Sequence, residues 1–245
     1  MDRPRRDLSL IQLLPNLLTV AAICAGLTAI RFAAAGNYVL AVQLVLAACL
    51  LDMLDGRLAR ALKADGAFGA ELDSLADFVN FGVVPPLILY FWALGDTRSL
   101  GWLAVLFYAV CCVLRLARFN VQAREDAEGD RPKPAPDHFT GLPAPGGALL
   151  VLLPMFFSFA LYEHPTAPVA VVVAALVAVG GLMISRIPVR SFKTVRIRRE
   201  HAPAVLLSIV LLGAAALTFA WVTLVALTLI YLGLVAWGLV RRRHG

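Results

Sequence analysis

Eight apolar runs, each near the length needed to cross a bilayer, constrain this chain more than any other feature. They cover approximately 13–34, 38–60, 71–94, 99–118, 142–162, 167–186, 203–221 and 222–240. A helix needs about 20 predominantly apolar residues to span the hydrocarbon core. Within it every backbone N–H and C=O must be satisfied internally, which a helix achieves alone. Of the 245 residues, 60% are hydrophobic and 16% charged, more apolar surface than a water-soluble domain of this size can hide. The chain is therefore expected to be an all-α integral membrane protein, a bundle of about eight transmembrane helices. The last two runs meet at Trp221-Val222-Thr223 with no spacer, so a tight turn, or a break a few residues away, is expected there.

Loop charge sets the expected orientation. Arg3, Arg5 and Arg6 precede the first run, and Arg57, Arg60 and Lys63 lie between the second and third. Arg115, Arg118, Arg124, Arg131 and Lys133 follow the fourth, Arg186, Arg190, Lys193, Arg196, Arg198 and Arg199 follow the sixth, and Arg241, Arg242 and Arg243 end the chain. These are alternate connections, while the opposite loops hold little beyond Arg98, with Arg31 near the end of the first run. The positive-inside rule then places both termini and every basic loop in the cytoplasm, which requires an even number of spans. The net charge of +6 reads as an orientation signal suited to anionic headgroups, with no nucleic-acid partner. The start MDRPRRD and Ala33-Ala34-Ala35 imitate a signal peptide, but the apolar run is too long, and an uncleaved first span is expected. Cys24, Cys49, Cys111 and Cys112 lie in apolar runs without metal-ligand spacing and read as small buried hydrophobes. The segment 121–140, with Pro132, Pro134 and Pro136, is expected to be extended and exposed.

Four aspartates break the apolar pattern at the facing ends of the second and third runs. Asp52 and Asp55 are three apart, and Asp73 and Asp77 four apart, so each pair shares a helix face. Acids at membrane depth are costly and mark function. Two such pairs repel unless a cation lies between them. Four carboxylates can hold two Mg²⁺ or Mn²⁺ ions, which prefer oxygen ligands and bridge to phosphate. Gly56 and Ala59 let a bulky group approach the backbone, and Arg60 can grip phosphate bidentately. Asp52 precedes Arg60 by eight residues, about 12 Å along a helix, so the acids sit near headgroup depth on the cytoplasmic side. A cation transporter using the four acids is the alternative from a different class.

The full pattern is Asp52-x2-Asp55-Gly56-x2-Ala59-Arg60-x8-Gly69-x3-Asp73-x3-Asp77, eight fixed residues over 26 positions. It resembles the signature of the CDP-alcohol phosphotransferase family. The resemblance implies that Asp52 and Asp73 bridge two divalent cations, Mg²⁺ or Mn²⁺, with Asp55 completing one site and Asp77 the other. It implies that Asp77 is also the general base. Gly56, Ala59, Arg60, Gly66 and Gly69 would line the CDP-linked donor's site, joined by Asn16 and Thr19 of Pro15-Asn-Leu-Leu-Thr19, which opens the first span.

Three further stretches resemble the phosphatidylserine synthase branch of that family: Arg115-Leu-Ala-Arg-Phe-Asn120, Phe139-Thr-Gly-Leu-Pro-Ala-Pro145 and Ser185-Arg-Ile-Pro-Val-Arg-Ser-Phe-Lys193. So does the wording from Leu72 to Gly82, followed by Pro85. The branch implies transfer of a phosphatidyl group from CDP-diacylglycerol to L-serine in the cell membrane, with the active site facing the cytoplasm and a homodimer as the assembly. Other acceptors (glycerol 3-phosphate, an inositol phosphate, another amino alcohol) are the alternatives within the family. Zwitterionic serine needs fixed cations or donors for its carboxylate, for which Arg115, Arg118, Asn120, Arg186 and Lys193 are candidates. The remaining basic loop residues read as contacts to lipid phosphate, and His138 as solvated. Pro143 and Pro145 are expected to break or kink the start of the fifth span. The expected organisation is a single domain over 1–245, with a core at about 13–193 and extra helices at about 203–240 left unexplained by the resemblance.

Overall fold

The structure, a computed structural model, describes residues 10–62, 66–97, 99–128, 138–161, 167–185, 188–190 and 202–241. These are almost entirely helical. Five helical segments are long and apolar enough to cross a membrane, and a bent pair makes a sixth. The chain is a multi-pass helical membrane protein. It divides into two compact units, 1–92 and 93–245.

In the first unit α1 (Leu10–Ala34) and α2 (Tyr38–Leu62) form a hairpin. Its turn follows from sequence. Gly36 takes φ +80, a conformation that suits glycine. The Gly36 N–H then bonds Ala33 O at 3.0 Å and the Asn37 N–H bonds Phe32 O at 2.9 Å, which satisfies the last carbonyls of α1. Asn37 Oδ1 accepts the N–H of Leu40 and opens α2. The two helices pack through small residues. Thr19, Ala22, Ala29 and Ala33 of α1 are buried at spacings of 3, 7 and 4, as are Ala41, Val45 and Ala48 of α2. Lipid tails are as apolar as leucine, so close backbone approach through small side chains drives such association. Large apolar residues such as Leu17, Leu27 and Leu50 point outward.

The third run begins as α3 (Ala67–Asp77), widens into a π-helical turn at Phe78–Val83, returns to α4 (Val84–Leu89), and widens again at Tyr90–Leu94. Pro85 and Pro86 explain the first widening. They remove two N–H donors and crowd the preceding turn, and the Val84 N–H reaches back to Val79 O.

The second unit contains α5 (Ser99–Glu128), a short strand β1 (His138–Thr140), α6 (Ala144–Val151), α7 (Leu153–Leu161), α8 (Val169–Ile184), strand β2 (Pro188–Arg190), α9 (Ala202–Thr218) and α10 (Ala220–Arg241). Gly180 of α8 lets Phe107 and Cys111 of α5 approach closely; a Cβ there would lie 3.2 Å from the Phe107 ring. Phe159 of α7 meets Trp221 of α10 edge to face at 4.8 Å.

Several expectations change. Pro15 lies inside α1, which begins five residues earlier, at Leu10. Helix α5 runs to Glu128, beyond the expected end at 118, because Val121–Glu128 lacks glycine and proline and is rich in helix formers. That removes the first part of the segment expected to be extended; residues 129–137, with its prolines, lie outside the described residues. Pro143 and Pro145 sit at the start of α6. The bend instead falls between α6 and α7, 41° at Leu152, just before Pro154. The break between the last two helices comes at Phe219, two residues ahead of Trp221, within the few residues expected. Cys111 and Cys112 are buried, but Cys24 is exposed on the apolar outside of α1.

Candidate active site

The stripe of α2 that packs through Ala41, Val45 and Ala48 continues, at spacings of 4 and 3, to Asp52 and Asp55. The same face that builds the apolar helix pair thus carries the acids inward. Asp55 is 2% exposed, and Asp52 is half-buried. Asp73, two turns into α3, brings its carboxylate to them. One oxygen from each of Asp52, Asp55 and Asp73 lies within 4.8 Å of the others. Asp77, one turn further along, stands at hydrogen-bonding distance from Asp52. All four sequence-predicted acids therefore converge.

Whether this cluster fits a divalent cation can be judged from the oxygens themselves. Asp52 Oδ1 and Asp55 Oδ1 are shut off from solvent and have no hydrogen-bond partner among the described residues. A buried carboxylate oxygen left so is costly, and like charges this close repel. Hard oxygen donors in such a group suit Mg²⁺ or Mn²⁺ rather than softer ions. The residues fit.

The other oxygen of Asp55 is held. Thr19 Oγ1 lies 2.7 Å from Asp55 Oδ2 and 3.1 Å from Pro15 O, and both side chains are buried. One hydroxyl proton cannot serve both acceptors fully; the shorter distance and the charge favour the carboxylate. Thr19, expected near the donor, thus supports Asp55, one of the clustered acids. Asn16 Oδ1 occupies the space beside Gly69, where a Cβ would approach it to 3.1 Å. Gly56 and Gly66 face open space, and Ala59 is half-buried beside them in sequence. Arg60 is exposed and folds back along α2, its Nε–H donating to Gly56 O at 3.0 Å.

Asn80, three residues after Asp77 in the π-helical turn, was not singled out as a site residue. It is 1% exposed, and neither amide atom has a hydrogen-bond partner among the described residues. Its Oδ1 lies against the backbone of Gly26, so closely that a Cβ at Gly26 would overlap it. An amide within an apolar run was the signal available in the sequence.

The second unit gathers the three stretches expected to serve the acceptor. Arg118 Nη2 donates to Ile184 O at 2.7 Å, tying the first stretch to the end of α8. Strands β1 and β2 pair antiparallel, His138 with Arg190 and Thr140 with Pro188, which joins the second stretch to the third. Gly141, at φ +88, lies where a Cβ would meet the carbonyl oxygens of Met183 and Ser185 at 3.0 Å, so the stretch accepts only glycine there without strain. Arg115 and Asn120 are half-buried on α5. Arg186 and Lys193 lie outside the described residues.

Comparison with known proteins accords with this geometry. Residues 12–182 match the family model described as CDP-alcohol phosphatidyltransferase. A protein of Mycobacterium bovis named CDP-diacylglycerol–serine O-phosphatidyltransferase is 42% identical over 215 residues, 88% of this chain and 73% of its own length. A protein of Helicobacter pylori with the same name is 33% identical over 202 residues, 82% of each chain. One of Bacillus subtilis, again so named, is 36% identical over 141 residues, 57% of this chain and 74% of its own. The aspartate pattern, its convergence in space and these matches agree that the chain belongs to the CDP-alcohol phosphatidyltransferase family.

Proposed function

We propose that this chain transfers the phosphatidyl group of CDP-diacylglycerol to L-serine, giving phosphatidylserine and CMP. The relatives carry the name of that reaction over most of their length. The observation that carries the chemistry is the convergence of Asp52, Asp55 and Asp73, with Asp77 beside Asp52. Asp52 and Asp73 would be shared between two cations, Mg²⁺ or Mn²⁺, with Asp55 completing one site and Asp77 the other. When bound, the cations would supply the positive charge that neutralises the donor's two phosphates.

The chain's own residues do the rest. Gly56 and Gly66 leave room for the donor to approach the backbone, and Arg60, held over Gly56, offers its guanidinium to the phosphates. Asp77 accepts the proton of the serine hydroxyl as its oxygen attacks the phosphorus bonded to diacylglycerol. The bond from that phosphorus to the oxygen shared with CMP breaks, and CMP leaves with the electron pair. A single displacement needs no protein nucleophile. Arg115 and Asn120, with Arg186 and Lys193, are the proposed partners of the serine carboxylate. Arg118, committed to Ile184 O, holds the third stretch in place beside them.

The reading includes eight spans in a cell membrane, both termini and the active site on the cytoplasmic side, a single functional domain over 1–245 and a homodimer. The alternation of basic loops supports the orientation. Helices α8 and α9, at 16 and 17 residues, supply the two shorter crossings. The test is Asp77→Asn in purified protein. CMP release from CDP-diacylglycerol with serine should fall at least about a thousandfold, within the range general-base and metal-ligand losses span, while the protein still folds. CMP release near the wild-type rate would overturn the assignment. A cation flux across vesicles that Asp77→Asn alters, from a protein that releases no CMP, would favour a transporter.

A further inference from the structure

The four acids come from two helical runs, and α1 supports both. Helices α2 and α3 each pack chiefly on α1. Thr19 of α1 holds Asp55 of α2 through its hydroxyl. Toward the third span α1 makes two asparagine–glycine contacts. Asn16 of α1 sets its Oδ1 against Gly69 of α3, where a Cβ would come within 3.1 Å of it. Asn80 of the π-helical turn sets its Oδ1 against Gly26 of α1, where a Cβ would overlap it and meet Val84 at 3.2 Å. The contacts are reciprocal, since each partner gives one amide and one glycine. In both, the oxygen faces the hydrogen that glycine carries in place of a Cβ, the arrangement of a Cα–H···O contact between closely packed helices.

The two contacts bracket the acids. Asn16 and Gly26 are ten residues apart, Gly69 and Asn80 eleven. The extra residue is in keeping with the widened turn, which starts at Phe78 and closes with the Val84 N–H reaching back five residues to Val79 O. Asp73 and Asp77 lie between the contacts on the third span, and Thr19 lies between them on α1. Asn80 itself is kept at a cost in stability. It is 1% exposed, and neither amide atom has a hydrogen-bond partner among the described residues. Leucine has nearly the same shape and would bury hydrocarbon there without that cost. Stability alone therefore selects against asparagine, and π-helical turns inside helices often serve function.

We propose that Asn80, seated on Gly26, is a positioning residue for the aspartate cluster. An amide oxygen approaches a glycine Cα more closely than a methyl group can, and that approach sets the distance and height of the third span on α1. With the Asn16–Gly69 contact at the other end, it fixes where Asp73 and Asp77 stand against Asp52 and Asp55. The inference rests on the reading of those acids as holders of Mg²⁺ or Mn²⁺.

Direct Mn²⁺ binding tests it, read as the loss of the free-ion electron paramagnetic resonance signal on titration with full-length protein in detergent. The metal-free thermal midpoint is measured beside it. Asn80→Leu keeps the shape and replaces the oxygen by a bulkier methyl. Its Mn²⁺ dissociation constant should rise about tenfold, the low end for losing a group that orients a ligand, while its midpoint stays or rises. Gly26→Ala, which pushes on the same contact from the other side, should weaken Mn²⁺ binding in the same direction. In the double variant the two losses should not multiply, because both act through one contact. An unchanged dissociation constant in either single variant would overturn the inference, as would multiplying losses. So would weakened binding in Asn80→Leu with a lowered metal-free midpoint, the mark of a residue that only packs. An unaltered protein that binds no Mn²⁺, or binds it equally well after Asp73→Asn, would instead overturn the reading of the aspartate cluster.

Discussion

Replacing Thr19 by valine removes one oxygen and keeps the shape of the side chain. The structure makes that oxygen matter. Thr19 Oγ1 stands 2.7 Å from Asp55 Oδ2, in a place where Thr19 is 4% and Asp55 2% exposed. The other oxygen of Asp55 has no hydrogen-bond partner among the described residues, and in the proposed site it would be the one to face a cation. A hydrogen bond to a charged group contributes about 1.5–3 kcal/mol, and a buried carboxylate deprived of it recovers none of that from solvent. The residue supporting a metal ligand typically carries 10–100-fold in metal affinity or activity. These two estimates agree, since about 1.4 kcal/mol is tenfold. Titrating Mn²⁺ into metal-stripped protein and following CMP release should give a half-saturating concentration about 10–100-fold higher for Thr19→Val. Activity at saturating Mn²⁺ should be largely kept. Thr19→Ser, which restores the donor, should return the half-saturating concentration most of the way. Thermal unfolding offers a second readout. At a fixed, saturating Mn²⁺ concentration a tenfold weaker site forfeits about 1.4 kcal/mol of metal-dependent stabilisation. A Thr19→Val protein with unchanged Mn²⁺ dependence in both assays would refute the reasoning.

Two other perturbations test the packing that holds the site. Gly26→Ala would drive a Cβ into Asn80 Oδ1, with Val84 at 3.2 Å behind it. Overpacking costs about 1–3 kcal/mol, against a helix-propensity gain of about 1 kcal/mol, so a net loss of up to about 2 kcal/mol is expected in detergent melts. A variant as stable as the unaltered protein would show that the close approach of α1 to the π-helical turn does not constrain the fold. Arg118→Ala removes the 2.7 Å bond to Ile184 O at the end of α8. A loss of about 1 kcal/mol is expected at this half-exposed position, with Arg118→Lys recovering part of it; an unchanged melting curve would remove Arg118 from the frame.

The parts of the molecule legible in the sequence are those set by local pattern. The apolar runs gave the helices, because in lipid the backbone has no alternative to internal hydrogen bonding. The spacing of Asp52, Asp55, Asp73 and Asp77 gave two acidic faces, and the structure joins them. What was not legible depends on register between elements. Nothing local marks Thr19 as the partner of Asp55, 36 residues away, nor Gly26 as the seat of Asn80. Tyr231 sits in a run that reads as lipid-facing throughout, and only the packing of α10 on α6 turns its hydroxyl inward. Proline was only partly informative. Pro143 and Pro145 start a helix, where a missing N–H costs nothing, whereas Pro154 follows the 41° bend that was not anticipated. Helix α5 outran its apolar run because residues 121–128 hold a helix by propensity after hydrophobicity ends.

The central claim is that the aspartate cluster directs a phosphatidyl group to serine. The direct measurement supplies purified protein with CDP-diacylglycerol and Mn²⁺, then adds L-serine, glycerol 3-phosphate, inositol phosphate or ethanolamine in turn, following CMP and identifying the lipid formed. The account predicts CMP and phosphatidylserine in equal amounts with serine, little release with the other acceptors, and none after chelation of the metal. Release that is no faster with serine than with another acceptor, or that persists without divalent metal, would contradict it.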